Sequence, residues 1–520
     1  MKKLLPFLLF LYLIITSCNS VKNHNAHLTD LVATEKLTAD VDYTYHKIKK
    51  LHPKLYWYVS KKQLDFKFDS LKKTITKPMT SFEFYKKITP VIGEIRQGHI
   101  SVYPKVKRLS KAESKALTKK GVGPFSQFEF EIFDNKLYVV NNKSYDKSIK
   151  VGTEVVTISN IKPAILFQEY KKLYSSDGYN TTFVNNILAR RFSNFYTYHN
   201  GIQDSILFAF KKNDSVKIVW IKRKIIDSVK TDTKVSKSKP TPEEVLKAKL
   251  VKIKKDVFGY DTDKKIYNRN LNFLEKDSSI AIVKINSFTV GNYRKFYENS
   301  FSQIRKTKSK ILILDIRNNT GGRLSEIANL YSYLADTSFV FMDKAEVTMK
   351  SSLLYSDYFK GGTVLNKVQK VILFPLYAAF QYFRVSKNDK KYYYRQESSL
   401  KPISKDVFKG KVYVLINGGC FSASSIISSN LKGSKRATFV GEETGGTYNG
   451  TIAGQMPIFK IPNSEIKIKI GLSACIPFHK TDIEGRGIFP DQEIFPTLSD
   501  RIKNDDPELN WVLNDLKNKI

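Results

Sequence analysis

The stretch ILILDIRNNTGGRLSEIANL (Ile311–Leu330) leads an apolar run into an Asn-Thr-Gly-Gly turn and then into a helical pattern. The stretch VYVLINGGCFSASSIISSN (Val412–Asn430) repeats that order, with two glycines and a serine cluster at its turn. Buried apolar strands that alternate with helices of this length are typical of an α/β domain with a largely parallel core sheet. The sequence therefore predicts such a domain from about residue 278 onward.

The two turns contain residues suited to nucleophilic catalysis. The glycines of the first turn let the backbone bend closely, so the N–H groups of Gly321 and Gly322 suit a developing oxyanion. Ser422 lies at the second strand-to-helix corner, where nucleophilic serines are often found and the helix dipole favours negative charge. The N–H of Ala423 is then the other oxyanion donor. Cys420, two residues before the serine, is the alternative nucleophile.

Several segments resemble, in this order, the carboxyl-terminal processing and tricorn-like serine peptidases, the tail-specific protease family. They are DIRNNTGG, NGGCFSASS, VGEETGG (Val440–Gly446) and EGRGIFPD (Glu484–Asp491), and the likeness extends upstream to HPKLYWY and RQGHISV. The resemblance implies a ClpP/crotonase-like catalytic domain in an α/β protein. It also implies a serine-type endopeptidase with no cofactor and no metal, acting on peptides or unfolded protein C-termini.

The same resemblance decides which residue is the expected general base. One branch of the family uses a lysine that follows the G-E-x-T-x-G segment, but Thr447 occupies that position here. The tricorn-like branch uses a histidine from the N-terminal side of the chain. RQGHISV supplies His99 in a matching context, with Gln97 and Ile100 in place of the usual aspartate and threonine. The resemblance therefore implies a histidine base at His99.

A histidine base needs a partner that fixes its tautomer and stabilises the imidazolium. In the tricorn-like branch the serine before the histidine and a late glutamate serve this purpose. Gly98 takes the serine's place here, and Glu484 is the candidate carboxylate, followed by Glu442 and Ser101. With an unperturbed imidazole, activity is expected to fall as the pH drops through roughly 6.5, because the protonated ring cannot accept a proton.

The first residues predict export and a lipid anchor. MKKLLPFLLFLYLIITSCNS has two lysines, a short apolar stretch and small residues before Cys18, which is the pattern of a secretory signal. ITSC resembles the bacterial lipobox, whose cysteine is acylated. We therefore expect a lipid-anchored protein in the cell envelope, on the periplasmic side of a bacterial membrane, with the outer membrane as the first expectation. The alternative is an ordinary cleaved signal with an incidental cysteine.

Changes of pattern along the chain suggest its domain organisation. Apolar residues at helical spacing predict a small helical N-terminal domain, with Thr38, Ser60 and Ser81 as N-caps. Alternating apolar residues then predict short strands. The predicted boundaries are residues 1–17 for the signal peptide, 18–37 for a lipidated tether, 38–110 for the helical domain, 123–224 for a β domain, 225–270 for a basic linker or insertion, 271–505 for the catalytic domain and 506–520 for a C-terminal helix.

The β domain is predicted to be PDZ-like. VGTEVVTISNIKPAILFQEY (Val151–Tyr170) contains a turn glycine, a strand, a tight turn at Ser159 and Asn160, and a helix, an order that resembles a PDZ segment. PDZ domains bind an extended peptide beside a sheet edge, so the resemblance implies a peptide-binding role. A generic small β domain is the alternative.

Three other functional classes compete with a peptidase. The formal net charge of +38 is compatible with nucleic-acid binding, but the lysines are spread over the whole chain and no nucleic-acid motif is present, so no nucleic acid is expected. The missing dyad lysine and the altered histidine segment leave open a catalytically inactive, peptide-binding lipoprotein of the same fold. A crotonase-type acyl-CoA enzyme would not carry this serine motif or a secretion signal.

Overall fold

The computed structural model describes residues 21–225, 241–274 and 278–518. The predicted signal peptide and Cys18 lie outside these residues. The described part of the predicted tether is packed against the protein, because helix α1 (Val21–Ala26) buries His24, whose Nε2 is hydrogen-bonded to the carbonyl of Val106 at 3.0 Å. Strand β1 (Leu31–Val32) then pairs with β2 (Met79–Thr80). From residue 21 onward the chain is therefore not a free tether.

The N-terminal region is helical, as its apolar spacing predicts. Its helices are α2 (Thr34–Leu51), α3 (Lys61–Lys73), α4 (Ser81–Gly93) and α5 (Lys111–Lys119). Ser60 caps α3 and accepts a hydrogen bond from the backbone of Gln63, as predicted. The other two predicted caps were wrong. Thr38 lies inside α2, and Thr80 rather than Ser81 caps α4, so that the cap is one residue earlier.

The segment predicted as a β domain forms a five-stranded antiparallel sheet whose strands follow one another in chain order. After β3 (Ser101–Tyr103) come a 3₁₀ turn (Phe125–Gln127), β4 (Phe128–Phe133), β5 (Lys136–Asn142), β6 (Glu154–Ile158), α6 (Pro163–Lys171), α7 (Thr182–Asn200), β7 (Ser205–Lys212) and β8 (Ser215–Lys222). The tight turn before α6 places Ser159 and Asn160 at φ values of 47° and 65°. Helix α7 lies against β4 and was not predicted. The PDZ-like character stays a prediction.

This sheet and the N-terminal helices share one core. A continuous cluster of buried apolar side chains runs from Ile48 and Phe84 on the N-terminal helices to Phe192 on α7 and Phe208 in the sheet. It also includes Ile468, which comes from far along the chain. Apolar burial of this kind stabilises by roughly 25 cal/mol per Å², so the shared cluster helps to hold the two regions together.

The predicted basic linker, residues 225–270, contains regular structure. Residues 226–240 of it lie outside the described residues. Thr241 caps helix α8 (Pro242–Val257), with proline in the first turn, and strands β9 (Tyr260–Asp261) and β10 (Ile266–Tyr267) follow. Only Val257 of α8 is buried, so this helix covers little of the core.

The remaining chain holds the second large core. Its elements are β11 (Arg269–Phe273), β12 (Ile280–Ile285), α9 (Tyr293–Lys306), β13 (Ile311–Asp315), α10 (Leu324–Ser332), β14 (Phe339–Val340), β15 (Ala345–Val347), α11 (Val364–Phe383), β16 (Val385–Asn388), β17 (Lys391–Tyr394), β18 (Leu400–Lys401), β19 (Lys411–Ile416), α12 (Ala423–Gly433), β20 (Thr438–Gly441), β21 (Thr451–Ala453), β22 (Ile458–Lys460), β23 (Lys467–Lys469), β24 (Ser473–Cys475), β25 (Gln492–Glu493), α13 (Leu498–Lys503) and α14 (Pro507–Lys517).

The predicted α/β architecture is confirmed. Six strands form one sheet in the order β11-β12-β13-β19-β20-β25, and every pair except β11 with β12 is parallel. The strands are buried apolar runs, which parallel sheets require because helices cover them. Strands β13 and β19 are neighbours in register, with Asp315 opposite Leu415. The two glycine turns that follow these strands therefore meet at the same sheet edge.

An insertion between α10 and β19 was not foreseen. It contains a two-stranded sheet of β14 and β18, a three-stranded sheet ordered β15-β17-β16, a 3₁₀ turn (Ser352–Tyr355) and helix α11. Leu353 and Tyr394 from this insertion line one side of the cavity described below. The insertion therefore forms part of the wall around the candidate site.

Candidate active site

The two glycine turns pack directly against each other. The backbone N–H of Phe421 donates to the carbonyl of Asn319 at 3.1 Å, and the hydroxyl of Ser424 donates to the same oxygen at 2.7 Å. Gly321 has a φ of 100°, and a Cβ on it would lie 2.9 Å from both Ser422 Cβ and the nitrogen of Ala423. Only glycine fits this close approach, which brings the first turn beside the serine.

Ser422 stands at a strained corner. Its φ of 59° and ψ of −120° are unusual for a residue with a side chain, and it immediately precedes helix α12. Strain of this kind persists where the surrounding structure over-determines it and is concentrated at functional sites. Ser422 is partly exposed and faces a cavity of about 310 Å³. The corner thus presents the hydroxyl to a space that a substrate can enter.

His99 lies next to Ser422, as the resemblance implied. Its Nε2 is 3.0 Å from Ser422 Oγ, and its Nδ1 is 3.0 Å from Thr451 Oγ1. It is placed there by β3, which begins two residues later and pairs with β23. The imidazole also stacks on Phe421, with ring centroids 4.9 Å apart. Hydrogen bonds on both ring nitrogens and one stacked face leave the imidazole little freedom to rotate.

Burial changes the expected acid–base behaviour of His99. Desolvation lowers the pKa of its imidazole to about 3, and the positive charge of Lys469 lowers it further in the same direction. The expectation of an ordinary pKa near 6.5 is therefore corrected. A neutral ring at physiological pH can accept the hydroxyl proton of Ser422, but the imidazolium that results needs a compensating negative charge.

A buried carboxylate not singled out from the sequence lies behind the histidine. Asp177 is fully buried, and its Oδ1 accepts the backbone N–H of Gly98 at 2.7 Å. Burial raises the pKa of Asp177 to about 7, while the Gly98 N–H and the Thr451 hydroxyl hold it down. Thr451 thus lies between His99 and Asp177. Neither Thr451 nor Asp177 stands in a motif, so the sequence carried no signal for them.

Glu484, the predicted partner of His99, is elsewhere. Its side chain is exposed, and Oε1 accepts a hydrogen bond from Asn449 Nδ2 at 3.0 Å. The two reserve candidates are also engaged elsewhere: Glu442 accepts the backbone N–H of Gly418 at 2.9 Å, and Ser101 pairs with Lys469 in the sheet of β3 and β23. The predicted orienting role of Glu484 is therefore wrong.

Of the three predicted oxyanion donors, Gly321 is not available. The N–H of Gly321 donates to Asn319 Oδ1 at 2.9 Å and is occupied. Among the described residues, the N–H groups of Gly322 and Ala423 have no acceptor. Gly322 lines the same cavity as Ser422. These two N–H groups, without Gly321, remain available to a developing oxyanion.

The competing nucleophile and base are excluded by their surroundings. Cys420 is fully buried, its thiol donates to the carbonyl of Ile316 at 3.0 Å, and burial raises the pKa of that thiol to about 12. A thiolate is the reactive form of cysteine, so Cys420 is inert. Thr447, at the dyad lysine's position, donates to the Gly450 carbonyl. Lys432, at the end of α12, forms an ion pair with Asp491.

Asp315 and Arg317 brace the first turn. The guanidinium of Arg317 contacts Asp315 Oδ2 at 2.9 Å and Asp506 Oδ1 at 2.7 Å. Because Asp506 caps α14, this pair ties the C-terminal helix to the turn. The arrangement is structural and leaves both residues outside the cavity.

Comparison with known proteins bears on the family and the fold. Residues 279–494 match the family model of Peptidase family S41, which confirms the resemblance stated above for the residues matched. No curated protein matches the chain in sequence. The chain is similar in fold to mature CPAF, with 13% identity over 92% of this chain and 96% of that one and a TM-score of 0.57. It is also similar to a CPAF mutant, with 15% identity, 90% and 94% coverage and a TM-score of 0.59.

Proposed function

We propose that the protein is an active serine-type endopeptidase, because residues 279–494 match the model of Peptidase family S41. The observation that carries the proposal is the 3.0 Å contact between Ser422 Oγ and His99 Nε2 beside two unoccupied backbone N–H groups. An inactive, peptide-binding relative would not need this pair at hydrogen-bond distance. The geometry therefore favours catalysis over binding alone.

The reaction follows from the positions of these groups. Ser422 Oγ attacks the scissile carbonyl carbon while His99 Nε2 takes the hydroxyl proton. The oxygen of the tetrahedral intermediate accepts hydrogen bonds from the N–H groups of Gly322 and Ala423. His99 then gives the proton to the leaving amine, and an acyl-enzyme remains on Ser422. A water molecule, deprotonated by the same histidine, releases the acid product.

Thr451 and Asp177 act as positioning residues in this proposal. The Nδ1–H of His99 donates to Thr451 Oγ1, which leaves the threonine hydroxyl proton free to turn toward the Asp177 carboxylate. The negative charge of Asp177 then stabilises the imidazolium through one intervening hydroxyl, the task of the aspartate in a Ser-His-Asp triad. Because the carboxylate is fully buried, its charge acts in a medium that screens poorly.

The titration of Asp177 makes a pH prediction possible. Its pKa of about 7 means that the carboxylate becomes protonated as the pH falls below about 7, and turnover should decline there. In Asp177→Asn this decline of turnover at low pH should vanish. The kcat of the variant at pH 8 should be lowered by about 10²- to 10⁴-fold, and the upper end is the loss seen for a triad aspartate. Peptide hydrolysis from pH 4 to 9, with kcat and KM separated, measures both effects.

Two controls separate positioning from structure. Thr451→Val, which removes the hydroxyl but keeps the volume, should reproduce the loss of kcat, and Thr451→Ser should restore most of it.

The folded pKa of Asp177 lies above its unfolded value of roughly 3.9, so its contribution to stability falls as the pH rises from 4 to 7. Asp177→Asn should therefore not lower the thermal midpoint at pH 8. An unchanged acid limb in Asp177→Asn would contradict the role assigned to this carboxylate.

The substrates that fit the site are peptides or the C-termini of unfolded proteins. The cavity beside Ser422 is lined by the apolar Leu324, Leu353, Ile426 and Met456 together with polar residues such as Arg323, Gln396 and Gln455. An apolar side chain next to the scissile bond matches this lining. We further propose that the protein is held at the periplasmic side of a bacterial membrane by acyl chains on Cys18, supported by the ITSC segment in the sequence.

Labelling with a fluorophosphonate probe tests the proposed function most directly. The probe reacts with serines whose hydroxyl is activated by an adjacent base. The full chain should be labelled, Ser422→Ala should not, and Cys420→Ala should be labelled as strongly as the wild type. Equal labelling of Ser422→Ala would show that another residue reacts, and no labelling of a folded wild-type chain would favour the inactive alternative.

A further inference from the structure

Helix α11 turns an apolar stripe toward solvent. Leu365, Ile372, Leu376 and Phe383 lie on one line along the helix, since 18 residues make about five turns of 3.6 residues. Their exposed fractions are 67%, 69%, 71% and 80%. The exposed apolar residues of this helix are Val364, Leu365, Val368, Val371, Ile372, Leu373, Leu376, Phe380, Tyr382 and Phe383. A contiguous apolar surface of this length marks a contact site rather than chance exposure.

The orientation of the helix is set by its opposite side. Tyr377 stacks on Tyr358 with ring centroids 4.0 Å apart, and its hydroxyl is hydrogen-bonded to Ser356 at 2.7 Å. Phe374 packs on Phe359 at 4.9 Å. These contacts hold the side of α11 that faces the protein. The apolar stripe, about half a turn away around the helix, therefore remains outward.

The residues on α11 and in the segments next to it carry an excess of positive charge. The cations on α11 and the segments next to it are Lys360, Lys367, Lys370, Arg384, Lys387, Lys390 and Lys391. Of the acidic residues nearby, Asp357 pairs with Lys360 and Glu346 pairs with Lys391, while Asp389 stands in the turn after β16. The excess of positive charge disfavours a second copy of this face and attracts an anionic surface.

A short series of contacts connects α11 to the start of the described chain. The ammonium of Lys360, just before α11, donates to the carbonyl of Ile458 in β22 at 3.1 Å. Strand β22 pairs with β23, and β23 pairs with β3. The segment after β3 contacts α1: Asn25 Nδ2 donates to the carbonyl of Arg108 at 2.8 Å, and the N–H of Arg108 donates to Asn25 Oδ1 at 2.9 Å. Helix α1 begins at Val21, three residues after Cys18.

We propose that the apolar stripe of α11 lies in the surface of an anionic lipid bilayer. An amphipathic helix of this kind binds in the plane of the interface, with apolar side chains among the acyl chains and cations at the phosphates. None of the helices in the described part of the chain, α11 included, has the length and apolar character of a membrane span. The predicted acyl chains on Cys18 would enter the same leaflet, and the two contacts together give stable attachment.

Tryptophan fluorescence on vesicles tests which face touches lipid. The full-length chain is bound to vesicles of equal parts phosphatidylglycerol and phosphatidylcholine, the latter brominated in its acyl chains. Leu376→Trp should add fluorescence that the bromines quench at least about twofold more than the fluorescence added by Phe66→Trp. Phe66 is a matched control because it is 67% exposed on α3. Equal quenching at both positions would overturn the proposal.

A charge substitution gives a second and independent measurement. In the full-length Cys18→Ser chain, the double variant Ile372→Glu and Leu376→Glu should sediment with the same vesicles roughly tenfold less than its parent. Its hydrolysis of a soluble peptide should be unchanged, since α11 does not line the catalytic cavity. If vesicle binding persists while a dimer in the parent becomes a monomer, the face is an interface between copies and the lipid proposal is wrong.

Discussion

Replacing Ser422 by alanine is expected to lower kcat for peptide hydrolysis on the order of 10⁶-fold, as when the nucleophile of a serine–histidine pair is removed. The hydroxyl is the group that bonds to the substrate carbon, and no other nucleophile is available. Cys420 is fully buried with a pKa of about 12, and the hydroxyl of Ser425 is bonded to the Cys420 carbonyl at 3.3 Å. Single-turnover kinetics with a fluorogenic peptide measures the loss.

The fold should survive this change. Alanine tolerates the φ of 59° at position 422 no worse than serine does, and water from the cavity can replace the partly buried hydrogen bond between His99 and Ser422. The thermal midpoint should stay close to that of the wild type. Ser425→Ala, three residues along the same helix, is the matched control and should keep its activity. Turnover of Ser422→Ala within tenfold of the wild type would rule out this serine as the nucleophile.

His99→Ala is expected to reduce kcat by about 10²- to 10⁴-fold, the usual scale for the loss of a general base. The imidazole is the only proton acceptor within hydrogen-bond distance of Ser422 Oγ among the described residues, at 3.0 Å. KM should change little, because the ring lies beside the reacting hydroxyl and contributes little to ground-state binding. Steady-state kinetics at pH 8, where Asp177 is charged in the wild type, separates kcat from KM.

One conservative variant and one distant control test the role of His99 further. His99→Gln keeps a hydrogen bond to the serine but cannot accept its proton, so it should be as impaired as His99→Ala. His46→Ala, an exposed position on α2, should retain full activity. Wild-type turnover in His99→Ala, together with inactivity of Lys469→Ala, would transfer the role of base to the lysine that lies near the ring.

The sequence predicted the features that depend on residues close together in the chain. The strand–turn–helix order around Ser422, the capped helix at Ser60 and the tight turn at Ser159 are set by local apolar spacing, capping and glycine placement. His99 was also found, although it lies 323 residues from Ser422. A family motif, rather than any local physical pattern, located it.

Helix α11 shows where reasoning from local pattern fails. The run from Val364 to Phe383 is strongly apolar, and such a run ordinarily indicates a buried element. Its burial depends on which surfaces the rest of the fold offers, and the body of the protein covers only one side. No rule based on sequence spacing distinguishes a helix that packs inward from one that turns the same residues outward.

The partners of His99 were decided by tertiary structure alone. Thr451 and Asp177 belong to different parts of the chain and stand in no motif, while Glu484 stands in a motif but faces solvent. The pKa values of His99 and Asp177 were likewise decided by the tertiary structure. An imidazole in water titrates near 6.5, and its displacement to about 3, like that of Asp177 to about 7, comes from burial. The sequence by itself thus determined the α/β domain, the nucleophile corner and the histidine, because adjacent residues or a shared motif encode them. Which carboxylate faces that histidine, and with what charge, depends on desolvation and contacts that exist only once distant segments have packed together.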